Sequence, residues 1–212
     1  MLSLKHNFLF IHTSKTGGNS IQSVLLPYSD DHLEDLPHSH QSKDFEVKNA
    51  QFPELRKHAT LYDYQQCLGV EQVQQLFKFG CVRNPWERAI SFYFSPHRGG
   101  KPWSKSGFLQ MLENESIPQA IAMFSMQPPD SSAPLSNGLD FVLRFESLAD
   151  DFAAVCNKVG LPNISLPHKN KSKKDDYMSY YDDEIISIVE KRYADDIKAF
   201  GYERPCLSVG KV

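Results

Sequence analysis

The chain has 212 residues and a mass of 24.2 kDa, with 41% hydrophobic and 23% charged residues, enough for one domain with a substantial core. Its formal net charge of −3 argues against a general nucleic-acid binder while permitting a local basic site. No apolar run approaches the roughly 18 residues of a membrane helix, and the first strand begins by Phe8, leaving no room for a signal peptide, so a soluble, cytoplasmic protein is expected.

Residues 8 to 24 (FLFIHTSKTGGNSIQSV) open the order of elements. An apolar run of strand length breaks at Thr13 into a polar turn, and amphipathic spacing resumes from Ile21 through Leu25. Strand, small turn and helix suit an anion: Gly17 and Gly18 let backbone N–H groups converge on an oxygen, and the helix adds its free amides and the positive end of its dipole. Lys15 brings a mobile charge, while Thr16, Asn19 and Ser20 offer hydrogen bonds to the same oxygens. An ATP or GTP loop reads G-x-x-x-x-G-K-[ST]; here Lys15 precedes the glycines and no glycine stands five residues before it.

From Leu26 to Pro53 the chain reads as a solvated irregular loop, and the spacing of His32, His38 and His40 fits no metal signature. Thr60 and Asp63 form a capping pair that opens a helix ending at Leu68-Gly69, and a second short helix runs from Val70 to Leu76. His58 falls just outside the first of these helices, where an imidazole stays accessible and the dipole favours its neutral form. Phe77 to Val82 is the next strand, followed directly by Arg83-Asn84-Pro85-Trp86-Glu87-Arg88-Ala89-Ile90-Ser91. Pro85 suits a helix's first turn, Arg83 sits at the strand's carboxyl end, and Ser91 lies eight residues on, about two helical turns away.

Two loops, 95–107 and 125–138, flank a stretch of helical pattern from Phe108 to Phe124; His97, Arg98, Lys101, Trp103 and Lys105 could line a floor for an acceptor. Leu139 to Glu146 reads as a buried strand, with Arg144 and Glu146 fixing the sheet edge, and a helix follows from Leu148 to Val159. A basic run follows Pro167, and one docking helix from Asp183 to Phe200 closes the chain at Gly201. Cys67, Cys81, Cys156 and Cys206 form no C-x-x-C and are expected as reduced, buried or half-buried residues. Nothing repeats, so one domain spans residues 1–212. Alternating strands and helices predict a three-layer α/β/α domain with a mainly parallel sheet.

The Lys15-Thr16-Gly17-Gly18-Asn19-Ser20 turn resembles the 5′-phosphosulfate loop of carbohydrate-type sulfotransferases that use 3′-phosphoadenosine 5′-phosphosulfate (PAPS), and Val82 to Tyr93 resembles their 3′-phosphate motif. This resemblance, extending loosely from Phe8 to Tyr202, implies a P-loop-like sulfotransferase fold and metal-independent transfer of a sulfuryl group to a carbohydrate or other small-molecule acceptor. It implies that Lys15 and residues 16–20 hold the 5′ side, that Arg83 and Ser91 grip the 3′-phosphate, and that Lys171 and Ser172 supplement that grip. Relatives carry a lysine-histidine-alanine-threonine segment where this chain has Lys57 to Thr60, which makes His58 the candidate general base and His12 its rival. Ser14 stands where relatives commonly have proline, and Asn19 where they often have threonine; either residue allows the turn. A P-loop kinase and a catalytically silent nucleotide binder are the alternatives.

Overall fold

Strand alternation sets the layers of this molecule, whose computed structural model describes residues 1–35, 45–95, 102–128, 131–167 and 177–207. β1 (Leu2–Ser3) pairs antiparallel with β2 (Phe8–Ile11); β2 pairs parallel with β5 (Phe77–Val82), and β5 parallel with β6 (Phe141–Arg144), in the order β1-β2-β5-β6. All four residues of β2 are fully buried, each worth about 1.5–3 kcal/mol of apolar burial. Because side chains alternate along a strand, Leu9 and Ile11 pack to one side and Phe8 and Phe10 to the other. The first side carries α2 (Leu61–Leu68), α3 (Val70–Gln75) and α6 (Ala120–Phe124); the second carries α1 (Gly18–Leu25) and α7 (Leu148–Lys158). The result is an α/β architecture with a mixed, mostly parallel sheet between helices.

A third apolar cluster joins α4 (Pro85–Tyr93), α5 (Lys105–Asn114) and α8 (Asp183–Arg192) around Trp86, whose indole N–H donates to the Ile186 carbonyl at 3.1 Å. Asn84 caps α4 by accepting from the amides of Trp86 and Glu87, with Pro85 in the first turn. Thr60 and Asp63 form the expected capping box on α2, and Gly69 ends it.

Four expectations are corrected. Residues 26–53 are not a plain loop: β3 (Asp31–Asp35) and β4 (Phe45–Asn49) form an antiparallel hairpin in which Leu33 faces Val47 and both meet the core. Asp31 ties this hairpin to the sheet by accepting from the Leu2 amide at 2.7 Å and from Asn49 Nδ2 at 2.9 Å. The closing helix is two helices, α8 and α9 (Ala194–Phe200), interrupted at Tyr193; the break lets the buried Asp196 carboxylate accept from the Ala120 and Ile121 amides at 2.8 Å each and cap α6. The helical stretch before β6 is likewise divided between α5 and α6. Cys206 is exposed, whereas Cys81 and Cys156 are buried and Cys67 half-buried; all four are free thiols. No helix among the described residues is long and apolar enough to cross a membrane.

Candidate functional site

β2 ends at Ile11 and the chain turns through residues 12–17 into α1. Two residues of this turn take left-handed backbone angles: Lys15 at φ 66°, unusual for a residue with a Cβ, and Gly17 at φ 83°. α1 has no side-chain cap and no acidic residue in its first turn. The amides of Ser20 and Ile21 both go to the Gly17 carbonyl, and no described residue accepts from the amides of residues 16–19. Orphan amides at a positive dipole end make an anion cradle. The Thr16 side chain is turned inward, its hydroxyl donating to the Thr13 carbonyl at 2.7 Å, so only its amide is left for a ligand. Ser20 is the converse case, with its amide committed and its half-buried hydroxyl at the helix start. Asn19 is half-buried in the same first turn.

Three side chains from elsewhere hold this turn by its carbonyls. His58 Nδ1 lies 3.0 Å from the His12 oxygen, Arg88 Nε donates to the Ser14 oxygen at 3.0 Å, and Arg83 Nη1 donates to the Lys15 oxygen at 3.1 Å. Arg88 is fully buried, also donates to the Pro118 carbonyl at 2.9 Å, and pairs with Asp196 at 3.5 Å, so its role is architectural. Burial lowers the Arg88 pKa and raises that of Asp196.

Arg83 is 9% exposed and lies flat over Phe145, 4.0 Å from the ring centroid, with Nη2 on Glu87 at 2.8 Å. Gly17 rests against the same ring: a Cβ there would come within 3.3 Å of Phe145 and 2.9 Å of Leu148. Phe145 therefore touches both the glycine turn and Arg83, which also meet directly at the Lys15 carbonyl. Ser91 is half-buried on α4, and the Lys15 ammonium donates to Ser95 Oγ just beyond that helix at 3.2 Å. Glu146 accepts from the Asn84 amide at 2.6 Å, and Arg144 reaches the Phe200 carbonyl, so both fix the sheet edge.

His58 is exposed on its outer side, and the His12 ring covers the other, with centroids 4.6 Å apart. A carbonyl only accepts, so Nδ1 of neutral His58 carries the proton and Nε2 keeps a lone pair. Loss of hydration lowers the His58 pKa below 6.5; the His12 carbonyl and Glu46 oppose this, while Lys57 and Arg88 add to it. Glu46 reaches this segment from β4, accepting from the Lys57 amide at 2.6 Å. Beside His58 opens a cleft of about 460 Å³, whose lining includes Glu54, Arg56, Asp63, Gln66 and Cys67. His12 is 4% exposed and its pKa falls well below 6.5, chiefly through burial.

The structure thus brings Lys15, residues 16–20, Arg83, His12 and His58 into one network. Lys171, Ser172, His38, His40, His97, Arg98 and Lys101 lie outside the described residues. Lys105 does not line a floor: it bonds Asp182 and Glu184 at 2.6 Å each, and Trp103 packs among Tyr93, Phe108 and Tyr180. His32 is on β3, exposed, and no group of three metal-ligating side chains occurs among the described residues. Sequence reasoning missed Phe145, Glu87, Ser95 and Glu46; only Glu87, four residues after Arg83, left a readable signal.

The model of the sulfotransferase family matches residues 1–203. The chain belongs to the sulfotransferase family. This sulfotransferase is also 31% identical over 98 residues to an uncharacterized protein of Archaeoglobus fulgidus, covering 45% of this chain and 77% of that one. No solved structure gives a significant match.

Proposed function

We propose that this sulfotransferase uses PAPS as donor and transfers its sulfuryl group, without a metal, to a hydroxyl of a carbohydrate or other small molecule, on the P-loop-like fold its motifs imply. The observation that supports this reading is the contact between the two motifs: the Arg83 guanidinium donates to the Lys15 carbonyl across 68 positions of chain. A turn whose amides are unclaimed among the described residues, with a separate arginine packed over an aromatic ring, is the pattern a nucleotide with two phosphate positions calls for. The fit holds at the turn as well, since glycine at 17 and 18 is what leaves the backbone open and the ring of Phe145 in place.

Bound PAPS supplies a labile sulfur–oxygen bond whose leaving oxygen belongs to the 5′-phosphate. The amides of residues 16–19 and the Ser20 hydroxyl hold that phosphate, with Asn19 beside them. Arg83 and Ser91 hold the 3′-phosphate, supplemented by Lys171 and Ser172. Lys15 stabilises charge as it develops on the leaving oxygen, which lowers the barrier only if the contact tightens in the transition state. His58 takes the acceptor proton at Nε2, and the cleft beside it receives the acceptor.

Thermal shift in metal-free buffer tests the donor. Adenosine 3′,5′-bisphosphate is expected to raise the melting temperature well above AMP or ATP. Equal shifts with all three would remove the PAPS reading, and a shift confined to ATP with Mg²⁺ would favour a kinase. Binding of the bisphosphate with no transfer from labelled PAPS to any acceptor pool would leave a silent nucleotide binder.

A further inference from the structure

His12 does more than end a strand. Its carbonyl receives His58 Nδ1, and its imidazole lies against both His58 and Gly18. A Cβ built at residue 18 would fall 1.9 Å from His12 Cδ2 and 2.0 Å from Nε2, so the ring occupies the space that glycine leaves at the first residue of α1. The ring is stacked over Phe10 with centroids 6.0 Å apart and an interplanar angle of 20°. Its Nδ1 is buried without a hydrogen-bond partner. A polar atom left in that condition costs about 1–3 kcal/mol, so packing rather than hydrogen bonding holds the ring there.

We propose that His12 is a positioning residue that registers His58 against the N-terminus of α1, so that the proton acceptor and the donor-binding amides move as one unit. The inference rests on the reading of His58 as the base. Two physical effects carry it. The His12 ring excludes water from the inner face of His58, which keeps that imidazole neutral, and it abuts Gly18, so any displacement of α1 is transmitted to His58. The charged and titratable groups facing His58 are Lys57 on its own segment, Glu46 from β4 and Arg88 from α4; those facing His12 are His58, Lys57 and the Met1 amine. Removing the His12 ring leaves these groups and the His12 carbonyl in place and changes the hydration of His58.

Imidazole NMR titration reads this without an identified acceptor. In the native protein His58 is expected as one Nδ1–H tautomer titrating below 6.5. In His12→Ala the midpoint rises towards 6.5 while the Nδ1–H tautomer, fixed by the residue-12 carbonyl, persists; His12→Leu, which restores bulk without nitrogens, returns the midpoint towards its native value. Gly18→Ala pushes the ring away, disturbs the His58 titration and weakens binding of adenosine 3′,5′-bisphosphate about tenfold, equivalent to about 1.4 kcal/mol. His12→Ala/Gly18→Ala recovers most of that binding, because the new methyl enters the space the ring vacated. An unchanged His58 titration in both single variants, or no recovery in the double variant, would overturn the proposal. His58→Ala with normal sulfuryl transfer would instead remove the base assignment, a result that the titration alone cannot produce.

Discussion

Arg83 reaches the main chain of Lys15, its Nη1 3.1 Å from the Lys15 carbonyl, while the face of the same guanidinium lies 4.0 Å from the Phe145 ring centroid. Stacking and an in-plane hydrogen bond together fix a planar fork in a way that an ammonium cannot reproduce. Arg83→Ala is therefore expected to weaken binding of adenosine 3′,5′-bisphosphate by about 1.5–3 kcal/mol, the range for hydrogen bonds to charged groups. Arg83→Lys should recover little of it. Calorimetry with the bisphosphate and with AMP checks the point, because loss of both affinities alike would assign Arg83 to the turn alone.

Lys15 separates binding from chemistry. Its ammonium matters most when charge develops on the leaving oxygen, so Lys15→Ala should lower the transfer rate more than nucleotide affinity. Single-turnover transfer from PAPS, compared with equilibrium binding of the bisphosphate, decides it. A variant that lost affinity but kept its rate would make Lys15 an anchor.

For His58→Ala, transfer should fall by about 100-fold or more while bisphosphate binding stays nearly native. The His58 pKa is lowered, so the residue is neutral and competent at pH 7, and activity should decline on the acid side only below 6.5. The variant should lack that acidic limb. Near-native transfer in His58→Ala, with His12→Ala or a glutamate variant inactive, would move the base elsewhere.

Stability should carry the imprint of His12. Burial holds its folded pKa well below 6.5, whereas the unfolded chain protonates it at the ordinary value. Above about 6.5 both states are neutral there and the stability is complete. As pH falls below 6.5 the unfolded state takes up the proton first, so stability drops, by at most about 1.4 kcal/mol per pH unit from this one group. Urea unfolding between pH 7 and 5 should show that slope, and His12→Leu should flatten it.

Arg88 and Asp196 make the test of architecture. Either Arg88→Ala or Asp196→Ala leaves a buried charge without its partner, which typically costs about 3–5 kcal/mol. Denaturant unfolding of each variant gives the value directly. A cost below 1 kcal/mol would mean that Ser14, Pro118 and the α6 amides carry the fold without the pair.

Much of this was legible in the amino-acid order, for reasons that are local. Phe8–Ile11 announces itself as an unbroken apolar run and Phe77–Val82 as a mostly apolar one broken only by Lys78, and Thr60 with Asp63 marks a helix start by a contact three residues long. Lys15, Gly17, Gly18 and Arg83 stood out through motif spacing. The hairpin of Asp31–Asp35 and Phe45–Asn49 did not, since its alternation is carried by little more than Leu33 and Val47 among charged neighbours. The break at Tyr193 was hidden because the contact that accompanies it, Asp196 capping α6, spans 76 residues. Phe145 was invisible for the same reason: nothing beside it in the chain reveals that both Gly17 and Arg83 pack against its ring.

Three external grips on the glycine turn are on main-chain oxygens, at residues 12, 14 and 15. These three bonds are thus independent of which side chains those residues carry. Replacement at 14 gives up only the 3.5 Å contact of Arg88 with the Ser14 hydroxyl and keeps the 3.0 Å bond to the carbonyl, whereas replacement at 12 also removes the ring packed against Gly18 and His58. Substitutions at 12, 14 and 15 can therefore keep their backbone ties, while those at 17 and 18 must displace a neighbour before any effect on catalysis can be interpreted.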